Sequence, residues 1–359
     1  MKKTIWKWII GCSACLAILV AFSCSVPLTK GVAKQVTTEG TGTEQQMQNS
    51  SPQDTSIQTP STQVDIVDDV TDEDKAQLNI EIPEGLDGSD ITILNDYLTQ
   101  TVKVCFSQGI ANYVQEYRVH GSSNHIASVT YYMDGASGVL EIGLDTVCEL
   151  TYTYQENYLC IEFIEPHEIY DKIIVIDAGH GGKAVGAVRD GVCEKDLNLA
   201  IVKEIYALMK EMNDKSIKVY YTRLGDTNPT LSQRVGLANK VKADLFISIH
   251  NNTASESGFT SRNGTLVLYN AQDDSTLSSK RFAEICLENV NRIAGSNRRG
   301  IASGDYVQIV KNSQVPVALI EVGYMTNAEE FAKLQTPEYR KLVAQGVYSA
   351  IVQAFEEGY

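Results

Sequence analysis

The sequence predicts an α/β protein: a mostly parallel sheet flanked by helices, preceded by a small antiparallel β domain. Three observations predict it. After residue 172, continuous apolar runs such as Ile173–Ile176 alternate with amphipathic helical stretches, the pattern of strands covered on both faces. From about 78 to 165, short runs with a period of two are separated by Gly, Asn and Asp, which reads as antiparallel strands and turns. Before residue 76 neither period is present.

In chain order, Lys2, Lys3 and Lys7 flank an apolar run over residues 8–22 that only Ser13 interrupts, and Ala21-Phe22-Ser23-Cys24 follows. This is an export signal over residues 1–23. The run is shorter than the about 20 residues a spanning helix needs, which favours removal over a permanent anchor. Cys24 also resembles a bacterial lipoprotein site, with Ala21 and Phe22 departing from the usual residues there; lipidation would tether the chain to the outer face of the cytoplasmic membrane, and plain cleavage or an uncleaved anchor is the alternative. Residues 1–23 hold three lysines and no acid, so their loss takes the formal charge from −15 to −18. Such a chain is repelled by nucleic acid and by anionic wall polymers, so nucleic acid is not an expected partner and envelope binding needs specific contacts.

Residues 24–76 are rich in Ser, Thr and Gln, lack aromatics and end in an acidic run from Asp65 to Asp74. They are expected to form a disordered tether. The β domain is expected over 77–168, with strands at Leu78–Ile82, Thr101–Phe106, Ala127–Tyr132, Val139–Ile142 and Tyr158–Phe163. Its His120 and His125 flank a loop and read as solvent-exposed histidines rather than a metal site. Cys105, Cys148, Cys160, Cys193 and Cys286 follow neither a CxxC knuckle nor a disulfide framework, so they read as buried or partly paired.

The domain at 172–357 carries expected strands at Ile173–Ile176, Ile217–Thr222, Leu245–Ile249, Thr265–Tyr269 and Val315–Ile320. A helix over 195–213 places Leu197, Ile201, Ile205, Leu208 and Met212 on one face; others are expected over 230–241 and 276–294. Pro337 opens the last helix, with Tyr339, Val343, Val347, Ile351 and Phe355 on one face.

In such sheets, sites form beyond the strand C-termini. His180, His250 and Glu321 each follow an expected strand, and Glu194 stands at a helix entrance after the first. Catalytic zinc takes three N or O ligands and leaves a position for water. His180, Glu194 and His250 are therefore assigned to zinc and Glu321 to the general base. Singly, each has a structural reading: a histidine after a strand packs, and an acid before a helix serves its dipole. An acid ending an apolar strand is harder to explain without a partner or a task. Gly179-His180-Gly181-Gly182 is neither GxGxxG nor a phosphate loop, and no Gly-x-Ser-x-Gly elbow occurs; Cys193 has no evident histidine to activate it.

Asp177-Ala-Gly-His-Gly-Gly, Glu194-Lys-Asp-Leu-Asn-Leu-Ala, Thr222-Arg223 with Asp226, Leu231 to Arg234 with Ala238-Asn239, Ser248-Ile-His-Asn, Asn297-Arg-Arg-Gly and Glu321-Val-Gly-Tyr-Met-Thr-Asn resemble the zinc-dependent N-acetylmuramoyl-L-alanine amidases of the amidase_3 type over about residues 172–356. The resemblance implies hydrolysis of the amide between the lactyl group of N-acetylmuramic acid and L-alanine in peptidoglycan, at the cell envelope. Arg223, Asp226, Arg234 and Asn239 match its pattern and are expected to form a salt-bridged scaffold rather than act in catalysis. Asn251-Asn252 departs from the more usual Ala-Asn after the histidine. The short polar segment between His250 and Thr265 leaves no room for the plugging helix of some relatives. The β domain resembles the AMIN modules that localise such amidases on peptidoglycan, with a generic β sandwich as the alternative. Two other functions are weighed: a catalytically silent wall-binding or activator protein, and a zinc peptidase or deacetylase acting on another wall amide.

Overall fold

A computed structural model of the chain describes residues 61–67, 77–122, 124–255 and 258–359. The expected export signal, Cys24 and most of the expected tether lie outside the described residues.

The first part is a β sandwich. Its strands are β1 (Thr62–Gln63), β2 (Ile66–Val67), β3 (Gln77–Glu81), β4 (Ile91–Asp96), β5 (Thr101–Phe106), β6 (Val119–Gly121), β7 (Ile126–Asp134), β8 (Ser137–Leu144), β9 (Glu149–Gln155) and β10 (Tyr158–Ile164), with a short helix α1 (Tyr113–Glu116). One sheet runs β1-β7-β8-β5-β4 and the other β2-β6-β3-β10-β9, antiparallel throughout except for β2 beside β6. The inward residues Leu78, Ile80, Val102, Val104, Phe106, Leu140, Ile142, Leu159 and Ile161 fill the space between them. Residues 62–67 differ from the tether reading. Val64 is buried in the sandwich core and its N–H bonds Val129 O at 2.9 Å, so one apolar side chain draws a Thr- and Gln-rich stretch onto the sheet edge.

After α2 (Pro166–Ile169) comes the α/β part. Its elements are β11 (Lys172–Ala178), the hairpin β12 (Val188–Arg189) and β13 (Val192–Cys193), α3 (Glu194–Met212), β14 (Ile217–Tyr221), α4 (Leu231–Lys240), β15 (Leu245–Asn252), β16 (Thr265–Tyr269), α5 (Ser279–Ala294), β17 (Arg298–Ser303), α6 (Gln308–Lys311), β18 (Val317–Tyr324), α7 (Ala328–Leu334) and α8 (Pro337–Glu357). The main sheet has the order β14-β11-β15-β18-β16-β17, parallel apart from the antiparallel β16–β18 pair. This is the mostly parallel sheet flanked by helices that the sequence predicts.

Local chemistry sets the helix ends. Thr230 and Gln233 close a capping box on α4, Thr336 caps α8 ahead of Pro337, and Asn213 and Gly295 end α3 and α5 in the left-handed conformation. Leu197, Ile201 and Ile205 of α3 and Val343, Val347 and Ile351 of α8 lie in the core under one sheet face, as their spacing predicts. Met212, assigned to the same face, is 44 % exposed because it occupies the last residue of α3.

The sandwich is docked against the foot of this sheet, where the parallel strands begin. Val147 packs with Ile173, Val175 and Tyr220. Glu149 accepts hydrogen bonds from Tyr220 at 2.5 Å and Tyr97 at 3.3 Å, and Lys218 Nζ, 2.7 Å from that carboxylate, lies 5.1–5.6 Å from the ring centres of Tyr97, Tyr170 and Tyr220. Lys240 Nζ bonds Gln100 at 2.7 Å and His167 bonds Lys242 O at 2.9 Å.

Candidate metal centre

At the opposite end of the sheet, β11 runs out into Gly179-His180-Gly181-Gly182. His180, Gly181 and Gly182 all have positive φ, at 61°, 134° and 51°. A Cβ on Gly181 would lie 2.0 Å from Thr227 O, so only glycine fits there. The left-handed backbone of His180 costs on the order of 1 kcal/mol, and Arg234 Nη2 holds its carbonyl at 2.6 Å. His250 and Glu321 are direct neighbours across β15 and β18. Both lie inside their strands, which extend beyond the apolar runs that mark them in sequence: β15 continues to Asn252 and β18 to Tyr324. Glu194 is the first residue of α3, so the helix dipole favours its charge.

The structure brings His180, Glu194 and His250 together, with one ligand atom from each lying within 4.8 Å of the others. The Glu194 carboxylate spans both rings, 3.1 Å from His180 Nε2 and 3.0 Å from His250 Nδ1. Burial works against its charge, but hydrogen bonds from both imidazoles hold its carboxyl well below the usual range. Burial also works against a charged His250; Glu194, Glu321 and Asp177 outweigh it and hold that imidazole above its ordinary value. Glu321 stands apart from this network. Burial pushes its carboxyl up to about 7, against the opposing effect of His250, and its Oε2 is buried with no hydrogen-bond partner. Two imidazoles and a carboxylate are a donor set suited to zinc, and the orphaned Glu321 oxygen beside them marks a polar site whose remaining occupant is substrate, water or both. The His180 and His250 side chains keep 31 % and 16 % exposure, so solvent reaches the centre. The described residues between His250 and Thr265 contain no helix.

Residues behind the centre were less visible in sequence. Asn198, fully buried one turn after Glu194, donates to Glu194 Oε1 at 3.3 Å and to Gly179 O at 3.1 Å. Asn251 donates its side-chain amide to Asn198 at 2.8 Å and its backbone N–H to Glu194 Oε1 at 3.2 Å. The four-residue spacing of Glu194 and Asn198 on one helix is the signal that finds this support. Asp177, in the apolar run of β11, is fully buried and pairs with the buried Arg234 at 2.6 Å while accepting from Thr222 and Ser248 at 2.6 Å each. Among the described residues no carboxylate pairs with Arg223; it donates to the carbonyls of Ala178, Gly179, Lys195 and Gly225. Asp226 pairs with Lys195 at 2.6 Å, and Asn239 bonds the backbone of Asn312 and Gln314. The five cysteines among the described residues are free thiols; Cys193 is the N-cap residue of α3 without a side-chain cap bond.

Residues 174–353 match the family model described as N-acetylmuramoyl-L-alanine amidase, Amidase_3. The chain is 32 % identical over 198 residues to the uncharacterized protein YqiI of Bacillus subtilis, covering 55 % of this chain and 91 % of that one. It is 31 % identical to the N-acetylmuramoyl-L-alanine amidase LytC of B. subtilis over 52 % of this chain and 36 % of LytC, so it spans about a third of that relative. The catalytic domain of CwlV, an N-acetylmuramoyl-L-alanine amidase from Bacillus (Paenibacillus) polymyxa, is a solved structure 35 % identical to it, covering 52 % of this chain and 98 % of that one, with a TM-score of 0.47. By the family match over half of its length and by the 32 % identity to YqiI, of which it covers 91 %, the chain belongs to the N-acetylmuramoyl-L-alanine amidase family.

Proposed function

We propose that the chain is a zinc amidase that cleaves the amide between the lactyl group of N-acetylmuramic acid and L-alanine in peptidoglycan, with His180, Glu194 and His250 holding the metal and Glu321 acting as base. The observation that carries this is the Glu321 carboxyl, kept poised near neutrality with one oxygen unbonded, beside a His-Glu-His set. Zinc held by those three residues would polarise the substrate carbonyl and acidify water. Glu321 accepts the proton of the attacking water and returns it to the alanine nitrogen as the C–N bond breaks, giving a lactyl carboxylate and a free amine. Glu194, held by Asn198 and the Asn251 N–H, keeps both imidazole nitrogens turned toward one point. The sandwich, including the strands at 62–67, is read as an AMIN-like wall-binding module, and the residues before it as an export segment with a tether, lipid-anchored through Cys24. No described helix is long and apolar enough to cross a membrane.

Digestion of purified sacculi tests this. Mass spectrometry should find intact glycan and stem peptides with a free alanine amine, a chelator should stop their release, and Glu321→Ala should abolish turnover with zinc still bound. Sacculus binding without product would instead favour a silent wall-binding protein. Cleavage at any other amide would favour a peptidase or deacetylase.

A further inference from the structure

The hairpin that leads into Glu194 forms one wall of the centre. Ala187 N–H bonds Glu194 Oε2 at 2.9 Å, and a Cβ on Gly186 would lie 2.5 Å from that same oxygen. Two residues on, about 7 Å along the strand, Arg189 reaches across to the segment that follows His250. Its Nη2 donates to Gly258 O at 2.7 Å, and its guanidinium lies 5.0 Å from the ring centre of Phe259, which is 51 % exposed and backed by Phe331. Its Nε is buried without a partner, and no carboxylate among the described residues pairs with it, in a chain holding 45 acids against 30 bases. Arg189 is therefore a partly buried cation, fixed in place on two sides, with no carboxylate partner among the described residues. That is a preorganised receptor for a planar carboxylate, since the guanidinium fork matches carboxylate geometry and its rotamer is already restricted. The neighbouring Val185, Val188 and Phe259 are exposed and apolar, which suits a peptide with small alkyl side chains. A wall phosphate polymer fits less well, because its repeated charges meet a net charge of −15.

We propose that Arg189, stacked on Phe259, is a specificity-determining residue that binds a free carboxylate on the peptide side of the scissile amide, so that the chain prefers acidic over amidated stem peptides. This rests on the amide-hydrolysis reading above. The test uses two soluble muropeptides identical except that the residue after the alanine carries a free carboxylate or the matching carboxamide. Each is given to the zinc-loaded full chain, to Arg189→Lys and to Arg189→Ala, with calorimetric binding of the two released peptides as a second readout and thermal melts to confirm folding. Arg189→Ala should raise KM for the free acid by roughly tenfold to a hundredfold and KM for the carboxamide by less than about threefold, with Arg189→Lys between. Peptide affinities should move in the same ratio. Equal losses on both substrates would make Arg189 a strap between two loops and overturn the inference. Weakened binding of added wall phosphate polymer, with the acid-to-amide ratio unchanged, would overturn it in favour of a polymer site. Failure of the unmodified chain to cleave either muropeptide would remove the hydrolysis reading itself.

Discussion

Replacing Asp177 by Asn should be among the most damaging single changes remote from the substrate. Asp177 is fully buried and Arg234 is 2 % exposed; they meet at 2.6 Å. Removing one member of a buried pair strands the other charge and costs about 3–5 kcal/mol. Arg234 would keep its bonds to the carbonyls of Pro229, Ala178 and His180, so the lower end, about 3 kcal/mol, is expected. For a cooperative unit of about 150–250 residues this is a fall of roughly 6–12 °C in Tm. The pH dependence has a fixed sign. Although burial opposes its charge, Arg234, Ser248 and Thr222 hold the Asp177 carboxyl below its ordinary value. Its contribution is thus present above about pH 4, the unfolded value, and is lost as pH falls through the lower folded value. Urea unfolding at pH 7 and at successively lower pH should show the gap between Asp177→Asn and the unmodified chain closing under acid. Adding Arg234→Met to Asp177→Asn removes the stranded charge but also the donors to the Pro229, Ala178 and His180 carbonyls, so the double variant should lose less than the sum of the two single changes. A gap below about 1 kcal/mol at pH 7, or one that ignores pH, would refute the reasoning.

Asn198→Ala removes a donor to Glu194 and should weaken zinc binding about tenfold to a hundredfold in a chelator competition; unaltered affinity would deny it a positioning role. Gly179→Ala places a Cβ 2.1 Å from His250 Nε2, so the ring must turn; about 1–3 kcal/mol of stability should go with the metal affinity, read from melts with and without zinc. In the metal-free chain, the Glu321 carboxyl pushed up to about 7 and the raised imidazole of His250 act in the same direction. Both groups hold protons in the folded state that the unfolded chain releases sooner, so stability should fall as pH rises from about 4.5 through 7, by about 3 kcal/mol for Glu321 alone. Glu321→Gln should flatten that slope in urea titrations, and an unchanged slope would place the titration elsewhere.

Much of this architecture is legible in sequence because burial leaves a periodic trace. Ile173–Ile176 and Leu245–Ile249 read as central strands since both faces are covered, and Glu321 is conspicuous because an acid is costly at the end of such a run. The same argument applies to Asp177, whose partner Arg234 sits 57 residues away and leaves no local sign of the pairing. Elements without a buried face left little trace. The edge strand β17 contains two arginines and a glycine, and β9 alternates Thr and Tyr with its last five residues exposed. The seven-residue α7 and the two-residue strands of the β12–β13 hairpin are too short to show a period. Arg189 was missed for the same reason, since its significance comes from Gly258 and Phe259 across the cleft rather than from its neighbours in the chain.

The tyrosine-ringed Lys218 grips the sandwich at the foot of the sheet, while the histidines stand at its head. A strand of seven residues separates the two by roughly 20 Å. Gripped in this way, the sandwich and the histidines keep a fixed spacing, so if the sandwich holds the wall as proposed, the bonds within reach are those at that stand-off. Lys218→Ala removes one of several clamps, since the Val147 packing and the Tyr220–Glu149 and Lys240–Gln100 bonds remain, so scattering should show an unchanged radius of gyration until those are cut as well.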